Sequence, residues 1–414
     1  MRRLMLLLVV LTASLLPGLP AYASSPLRPV VFVHGSAGSA AQFATQAKRL
    51  AANGYPIEII EAHEYDSPNI ATILPSVHTG IDARIARLLA DTGATQVDLI
   101  AHSLGTFVSQ SYLNSSPARA GRVAHYVNLD GRTATAPPGG VDTLAIWGEG
   151  DQSRQIAGAA NLYLPDQSHT QTVSSAESFR AVFRFFRGRD PRTTVIVPAL
   201  VAHVSGRAVL FPSNAGAGGT VRIYDVTAGR HLRRSLTVAD DGSFGPVPLS
   251  PLARYEFTLV RPGAPDHHFY FQPFLRSDSF VRLLAGRPGE GVGALIETSP
   301  AHTALTLNRQ KEWWGSADRL YVNGRQILNE ANAPRAKRVI GVFAFDENSD
   351  RVTDLTAPLP DIYAQTFLTG MDVYIPAGRL VSVVVAHRGG GWEATTLPAW
   401  PSDRHRVTVN VNDY

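Results

Sequence analysis

Ser103 stands at the apex of Ala101-His-Ser-Leu-Gly105, directly after the apolar run Gln96–Ile100 and directly before the helix-like stretch Thr106–Leu113. A strand, a sharp turn and a helix with a serine between them lift the hydroxyl out of the sheet. The same turn sets the N–H of Leu104 beside it at a helix N-terminus, where a developing oxyanion is stabilised. Small residues suit such a turn because strand and helix backbones approach closely; Ala101 stands where glycine is more usual. The chemistry this suggests is acyl transfer through a serine. It requires a base to take the hydroxyl proton, an acid to orient that base, and a second donor for the oxyanion.

His34-Gly35-Ser36 follows the apolar strand Val30–Val33 and supplies that donor, with the backbone N–H of Ser36 facing that of Leu104. The His34 side chain is expected to make a structural hydrogen bond. The base belongs late in the domain, in a loop after the last strand, and His169 is the histidine so placed before the closing helix. His63, His78, His102 and His125 read as ordinary core or surface residues, and His102, one residue before the serine, is expected to point elsewhere on the turn. Two aspartates could be the acid. Asp130 follows the strand Ala124–Leu129, and Asp151 follows the next strand within Gly148-Glu-Gly-Asp151. Asp151 has the commoner location, but the short stretch from it to His169 leaves little room for the helix that usually separates acid from base. Both are also good turn formers, and the residues alone leave the choice open.

These groups need a scaffold, and the chain's rhythm provides one. From about 28 to 187, strands at Val30–His34, Pro56–Ala62, Val123–Leu129, Thr143–Trp147 and Asn161–Leu164, with the elbow strand, alternate with helices at Ala41–Asn53, Ile81–Thr92, after Ser103, and Ser175–Arg187. That alternation predicts an α/β domain, a mostly parallel sheet flanked by helices. Pro191–Pro198 reads as a linker. Beyond it come short strands of period two with Gly, Pro and Asp turns, an all-β C-terminal half. Within it, 191–262 reads as a transthyretin-like β-sandwich module and 263–414 as a further β-rich domain. Tyr321-Val-Asn-Gly-Arg325 marks a hairpin, with strands expected near 339–345, 371–375, 380–386 and 406–411.

Composition narrows the setting. Arg2 and Arg3, the apolar run Leu4–Leu16 and Ala21-Tyr22-Ala23 form a secretory leader over 1–23, with cleavage after Ala23, so the catalytic domain is 24–190 and the protein is expected outside the cell. The run is too short to span a bilayer, and no transmembrane segment is expected. With no cysteine there is neither a disulfide nor a lipid-anchoring thiol. The net charge of +4 includes both leader arginines, so the remaining chain is nearly balanced and nucleic acid is not an expected partner.

Residues 28–190 resemble an α/β-hydrolase of the bacterial lipase type, and more narrowly the archaeal and bacterial lipase group with a β-rich C-terminal domain. The resemblance is carried by Ala101–Thr106, Leu113–Pro117, Asn128–Gly131 with Ala136–Leu144, and the block from His169 to Phe185. It implies a secreted serine carboxylic-ester hydrolase acting on acylglycerols or other lipid esters, able to contact a lipid interface, with no metal or organic cofactor. In that group the acid lies in the Leu-Asp-Gly element, which carries over onto Asp130 in preference to Asp151. It also implies that the appended domain helps form the acyl site, for which Phe269–Phe274 and Trp313-Trp314 would be the aromatic surface, unless they are core. The alternative is a polyester depolymerase or cutinase-like esterase whose C-terminal half binds a polymer surface. A third reading, an inactive hydrolase domain on a β-rich adhesion protein, has the complete set of catalytic residue types against it.

Overall fold

The computed structural model describes residues 27–413; the expected leader, 1–23, lies outside the described residues. The first half is a six-stranded sheet of β1 (Val30–Val33), β2 (Ile60–His63), β3 (Val97–His102), β4 (Val123–Leu129), β5 (Asp142–Trp147) and β6 (Ala160–Tyr163). The order is β2-β1-β3-β4-β5-β6, and every pairing is parallel. Parallel strands are covered on both faces, which is why β1 and β3 are buried at every position. Alternate side chains serve opposite faces. Val30, Phe32, Ile100, Val127, Leu129 and Ile146 pack on one side, and Val31, Val33, Leu99, Ala101, Tyr126 and Trp147 on the other.

The helices follow from that demand. Helix α1 (Ala44–Ala52) is entered through a 3-10 turn, and α2 covers Ile70–Thr92. Helix α3 (Leu104–Asn114) starts at the serine turn. The closing helix, Ala176–Arg187, buries Phe179, Val182, Phe183 and Phe186, a stripe of helical spacing, against the first face. Each buried phenylalanine contributes about 1.5–3 kcal/mol of hydrophobic stabilisation. Ser175 caps its start by accepting from the Ser178 N–H at 3.1 Å, and Gly188 ends it in the left-handed region at φ 65°.

Helix α2 begins at Ile70, about three turns before the Ile81 read from the sequence. Pro75 lies inside it and reads locally as a stop, although Ile70, Ile73, Leu74 and Val77 already form an apolar stripe that packs on the second face, with Ala71, Thr72, Pro75 and Ser76 on the exposed side. Most other boundaries differ by only a residue or two.

The second half contains an eight-stranded sheet, a four-stranded sheet built on Ala202–Leu210, and a four-stranded sheet that includes the Arg319–Val322/Arg325–Gln326 hairpin. Asn323 (φ 49°) and Gly324 (φ 80°) form that hairpin's turn. The junction at 262/263 falls in the turn between Tyr255–Val260 and Asp266–Phe271, which pair antiparallel. Asp266–Phe271 also pairs with His405–Asn410, and Asp278–Ala285 pairs with Ala202–Leu210, so sheets cross that junction in both directions. Most of the aromatic surface proposed for acyl chains is interior: Trp313, Phe269, Tyr270 and Phe274 are buried in the β cores. Trp314 is half-buried, with the guanidinium groups of Arg335 and Arg388 4.0 and 3.9 Å from its ring centre. Among the described residues no helix is long and apolar enough to cross a membrane.

Candidate active site

In an open parallel sheet the crevice lies at the carboxyl ends of the strands, where the order reverses. Here the chain moves from β1 outward to β2 and returns to β3 on the other side, so the switch lies between β1 and β3. His34-Gly35-Ser36 follows β1 and Ser103 follows β3. Asp130 follows β4, Gly148 follows β5, and His169 lies in the loop after β6.

Ser103 has φ 51° and ψ −120°, a conformation that costs a non-glycine residue about 1–3 kcal/mol and persists only where its surroundings impose it. They do so here. The Ser103 N–H donates to the Leu129 carbonyl at 3.1 Å, and its carbonyl accepts from Thr106 Oγ1 at 2.6 Å. A Cβ on Gly105 would meet the Val33 carbonyl oxygen at 2.3 Å, so the third residue of the turn must be glycine for α3 to sit on β1.

The loop after β1 lies against this turn. A Cβ on Gly35 would come within 3.0 Å of His102 Nδ1 and 3.1 Å of Ser103 Cβ. The Gly35 and Ala37 N–H groups donate to Gln42 Oε1 (3.2 Å) and Ser67 Oγ (2.8 Å), leaving the Ser36 N–H as the uncommitted one of the three among the described residues. His34 is fully buried. Its Nδ1–H donates to the Gly35 carbonyl at 2.8 Å, its Nε2 accepts from the Tyr65 N–H at 3.2 Å, and its ring stacks on Tyr65. Burial lowers its pKa, in keeping with a neutral ring in a structural role.

Asp130 and His169 are brought together, and Asp151 is not. Asp130 Oδ2 accepts from His169 Nδ1 at 2.6 Å. Asp130 Oδ1 accepts from the Gly148 N–H at 2.9 Å and lies 3.0 Å from Arg154 Nη2. Burial alone would raise the Asp130 pKa, but the imidazole, the N–H and the guanidinium overcome it and hold the carboxyl below its ordinary value. Asp151 is exposed, and its carboxylate caps its own loop at the Ser153 N–H, 2.8 Å away.

His102 departs from its expected place. Its ring centre lies 4.5 Å from that of His169, and its Nε2–H donates to the His169 carbonyl at 3.1 Å. The buried Nδ1 has no partner among the described residues; burial and then the neighbouring His169 hold its pKa well below the ordinary value, so the ring is neutral. Thr172 Oγ1 donates to the same carbonyl at 2.8 Å. The sequence signal for His102 was its place beside the serine; a residue at the end of β3 reaches the neighbouring loop as readily as the residue after it.

A cleft between the halves, lined by Lys48, Phe271, Asp278 and Asn410 among others, does not reach Ser103, Asp130 or His169.

Comparison with known proteins adds the family. Residues 27–124 match the model described as Lipase (class 2), residues 201–288 match the Lipase C-terminal domain, and residues 291–414 match a model described as a C-terminal domain. No curated protein matches the chain. Among solved structures, it is similar to the lin2722 gene product of Listeria innocua (12% identity, 41% of this chain and 98% of that one, TM-score 0.30). It is similar also to lipase B of Aspergillus fumigatus (12% identity, 41% and 54%, TM-score 0.32). Phospholipase PlaB of Legionella pneumophila, in complex with thio-NAD, aligns over 93% of this chain and 94% of that one at 10% identity and a TM-score of 0.25. Those scores are too low to bear on the fold, which rests on the sheet order and the family models. The class 2 lipase match thus lies on the parallel α/β sheet of the first half, and the lipase C-terminal domain match lies in the β-rich second half.

Proposed function

We propose that this protein is a secreted serine carboxylic-ester hydrolase that cleaves acylglycerols or other lipid esters through an acyl-enzyme. Ser103 is the nucleophile, His169 the base, Asp130 the orienting acid, and the N–H groups of Ser36 and Leu104 the oxyanion donors. The observation that carries the reading is the 2.6 Å contact of Asp130 Oδ2 with His169 Nδ1 on the sheet edge where Ser103 sits at positive φ.

Nδ1–H is given to Asp130, so Nε2 is the free basic nitrogen of His169. It takes the Ser103 proton as the oxygen attacks the ester carbonyl. The two N–H groups stabilise the negative charge that develops on the carbonyl oxygen, and Asp130 stabilises the imidazolium. The imidazolium then protonates the leaving alkoxide, and the alcohol departs. Water, deprotonated by the same Nε2, attacks the acyl-enzyme; collapse of the second tetrahedral intermediate returns the proton to Ser103 and releases the carboxylic acid.

The test is hydrolysis of p-nitrophenyl esters and triglycerides of increasing chain length by the full chain. Turnover that extends to long-chain triglyceride supports a lipase. Turnover restricted to short soluble esters would contradict the lipid substrate while leaving the ester chemistry. Export is checked separately, by following where the protein and its cleaved leader partition in a secreting host.

A further inference from the structure

One buried carboxylate close to this site is not part of the reaction as written. Glu312 is the penultimate residue of the strand Leu305–Trp313 in the C-terminal half and is fully buried. Its oxygens are turned to the histidine loop of the other half. Oε1 accepts the Thr170 N–H at 2.7 Å, and Oε2 accepts Thr170 Oγ1 at 2.6 Å together with the Ser168 hydroxyl. Ser168 and Thr170 are the two residues that flank His169.

Resting on the hydrolase reading above, we propose that Glu312 is a positioning residue for the reaction. It is a carboxylate lent by the β half that holds the Thr170 N–H and the hydroxyls of both residues flanking His169, and so aims the imidazole.

The α/β half alone fixes only part of this loop. Its contacts to the backbone of His169 are the two donors to the carbonyl, His102 Nε2 at 3.1 Å and Thr172 Oγ1 at 2.8 Å. The neighbouring carbonyls are held from the same half, Ser168 by the Thr172 N–H at 3.2 Å and Thr170 by the Val173 N–H at 3.0 Å. Among the described residues the Thr170 N–H and the Ser168 and Thr170 hydroxyl protons are not, and a general base must hold its nitrogen within hydrogen-bond reach of the hydroxyl it deprotonates. Glu312 holds these three donors on one side chain from the other half.

The clamp is itself braced. The Glu312 carbonyl accepts from Arg309 Nη2 at 2.6 Å and from Arg388 Nη1. Both guanidinium groups converge on Asp318 Oδ2, at 2.5 and 2.7 Å. Arg388 Nη2 also crosses to the loop, at 3.2 Å from Ser168 Oγ and 3.0 Å from Gln171 Oε1. Three donors on one carboxylate also explain the residue type: a glutamine here would set an NH2 group against one or two of them.

The bland alternative is that these contacts merely join the halves. Asp278, which pairs with Lys48 across the halves at 3.3 Å and does not approach His169, provides the comparison. Wild type, Glu312→Gln and Asp278→Asn are assayed as full chains with a p-nitrophenyl ester, alongside thermal melting and the far-downfield proton resonance of the His169 Nδ1–H···Asp130 bond. The expected result is a kcat for Glu312→Gln lower by about 10- to 100-fold, as small misplacements of a catalytic group produce. KM stays within about twofold, since substrate contacts are untouched, and the downfield resonance broadens or disappears. Asp278→Asn lowers the melting temperature and leaves kcat and the resonance as in wild type. A folded Glu312→Gln with wild-type kcat and resonance overturns the proposal, as does an equal loss of kcat in Asp278→Asn. Should Glu312→Gln not fold, the double variant Ser168→Ala/Thr170→Val, which removes the hydroxyl donors and keeps the carboxylate, is read by the same criteria. An inactive wild type would contradict the hydrolase reading itself, whereas an active wild type with an unaffected Glu312→Gln contradicts only this inference.

Discussion

Asp130 Oδ2 lies 2.6 Å from His169 Nδ1, although 39 residues separate the two in the chain. The other oxygen of the same carboxylate is taken by the Gly148 N–H and Arg154, so the group is fixed at both ends. Asp151, the other candidate acid, faces solvent.

That difference gives the first prediction. Asp130→Asn keeps the shape but puts the wrong tautomer pressure on His169, and should lower kcat by about 10³- to 10⁴-fold, the loss such a change causes in a serine triad. Asp151→Asn should leave kcat within about twofold. Steady-state kinetics on one ester decides, and the reverse ranking would move the acid to Asp151.

The serine turn depends on the absence of one side chain. A methyl group at Gly105 would meet the Val33 carbonyl at 2.3 Å, and a backbone atom in a central strand cannot step aside. Gly105→Ala should cost about 3 kcal/mol or more, the upper end of overpacking penalties. It should either fail to fold or melt well below wild type; an unchanged melting temperature would mean that α3 does not sit against β1 as described.

Acid should weaken the fold in two overlapping windows. Burial, then Arg84, hold His63 down at about 3, and burial lowers His34 and His102 as well. In the unfolded chain these rings protonate near their ordinary value of about 6.5, so below it the unfolded state takes up more protons and stability declines. Burial by itself would raise Glu64, Glu256 and Asp318, but Arg282, Arg230 and Arg309 respectively bring each to about 2. Their stabilisation is complete above the ordinary carboxylate range of about 4 and is lost as pH falls toward about 2. Thermal melts should therefore give a midpoint that starts to fall below about pH 6.5 and falls further below about pH 4.5; a midpoint unchanged down to about pH 4 would contradict the buried neutral histidines.

Much of this was legible in the chain because the signals are local. The order of strand, serine turn and helix, the buried Val-Val-Phe-Val of β1 and the Asn-Gly turn at 323–324 each depend on a few neighbouring residues. The start of α2 was missed because Pro75 reads locally as a stop, although Ile70, Ile73, Leu74 and Val77 already carry the apolar stripe of the helix. His102 was misjudged because its direction is set by the packing of a loop 67 residues away. Glu312 had no local signal at all. It is one acidic residue in a β strand, 142 residues beyond Thr170, and only the docking of the two halves brings them together.

The most direct test of the central claim is ester hydrolysis by Ser103→Ala beside the wild type, with both shown folded by their melting curves. The account predicts that the variant folds as well as the wild type and loses turnover by about 10⁶-fold, the scale seen when the nucleophile of such a triad is removed. A folded Ser103→Ala that still hydrolyses the ester at a rate near wild type would contradict it, and the chemistry would have to be sought at another residue.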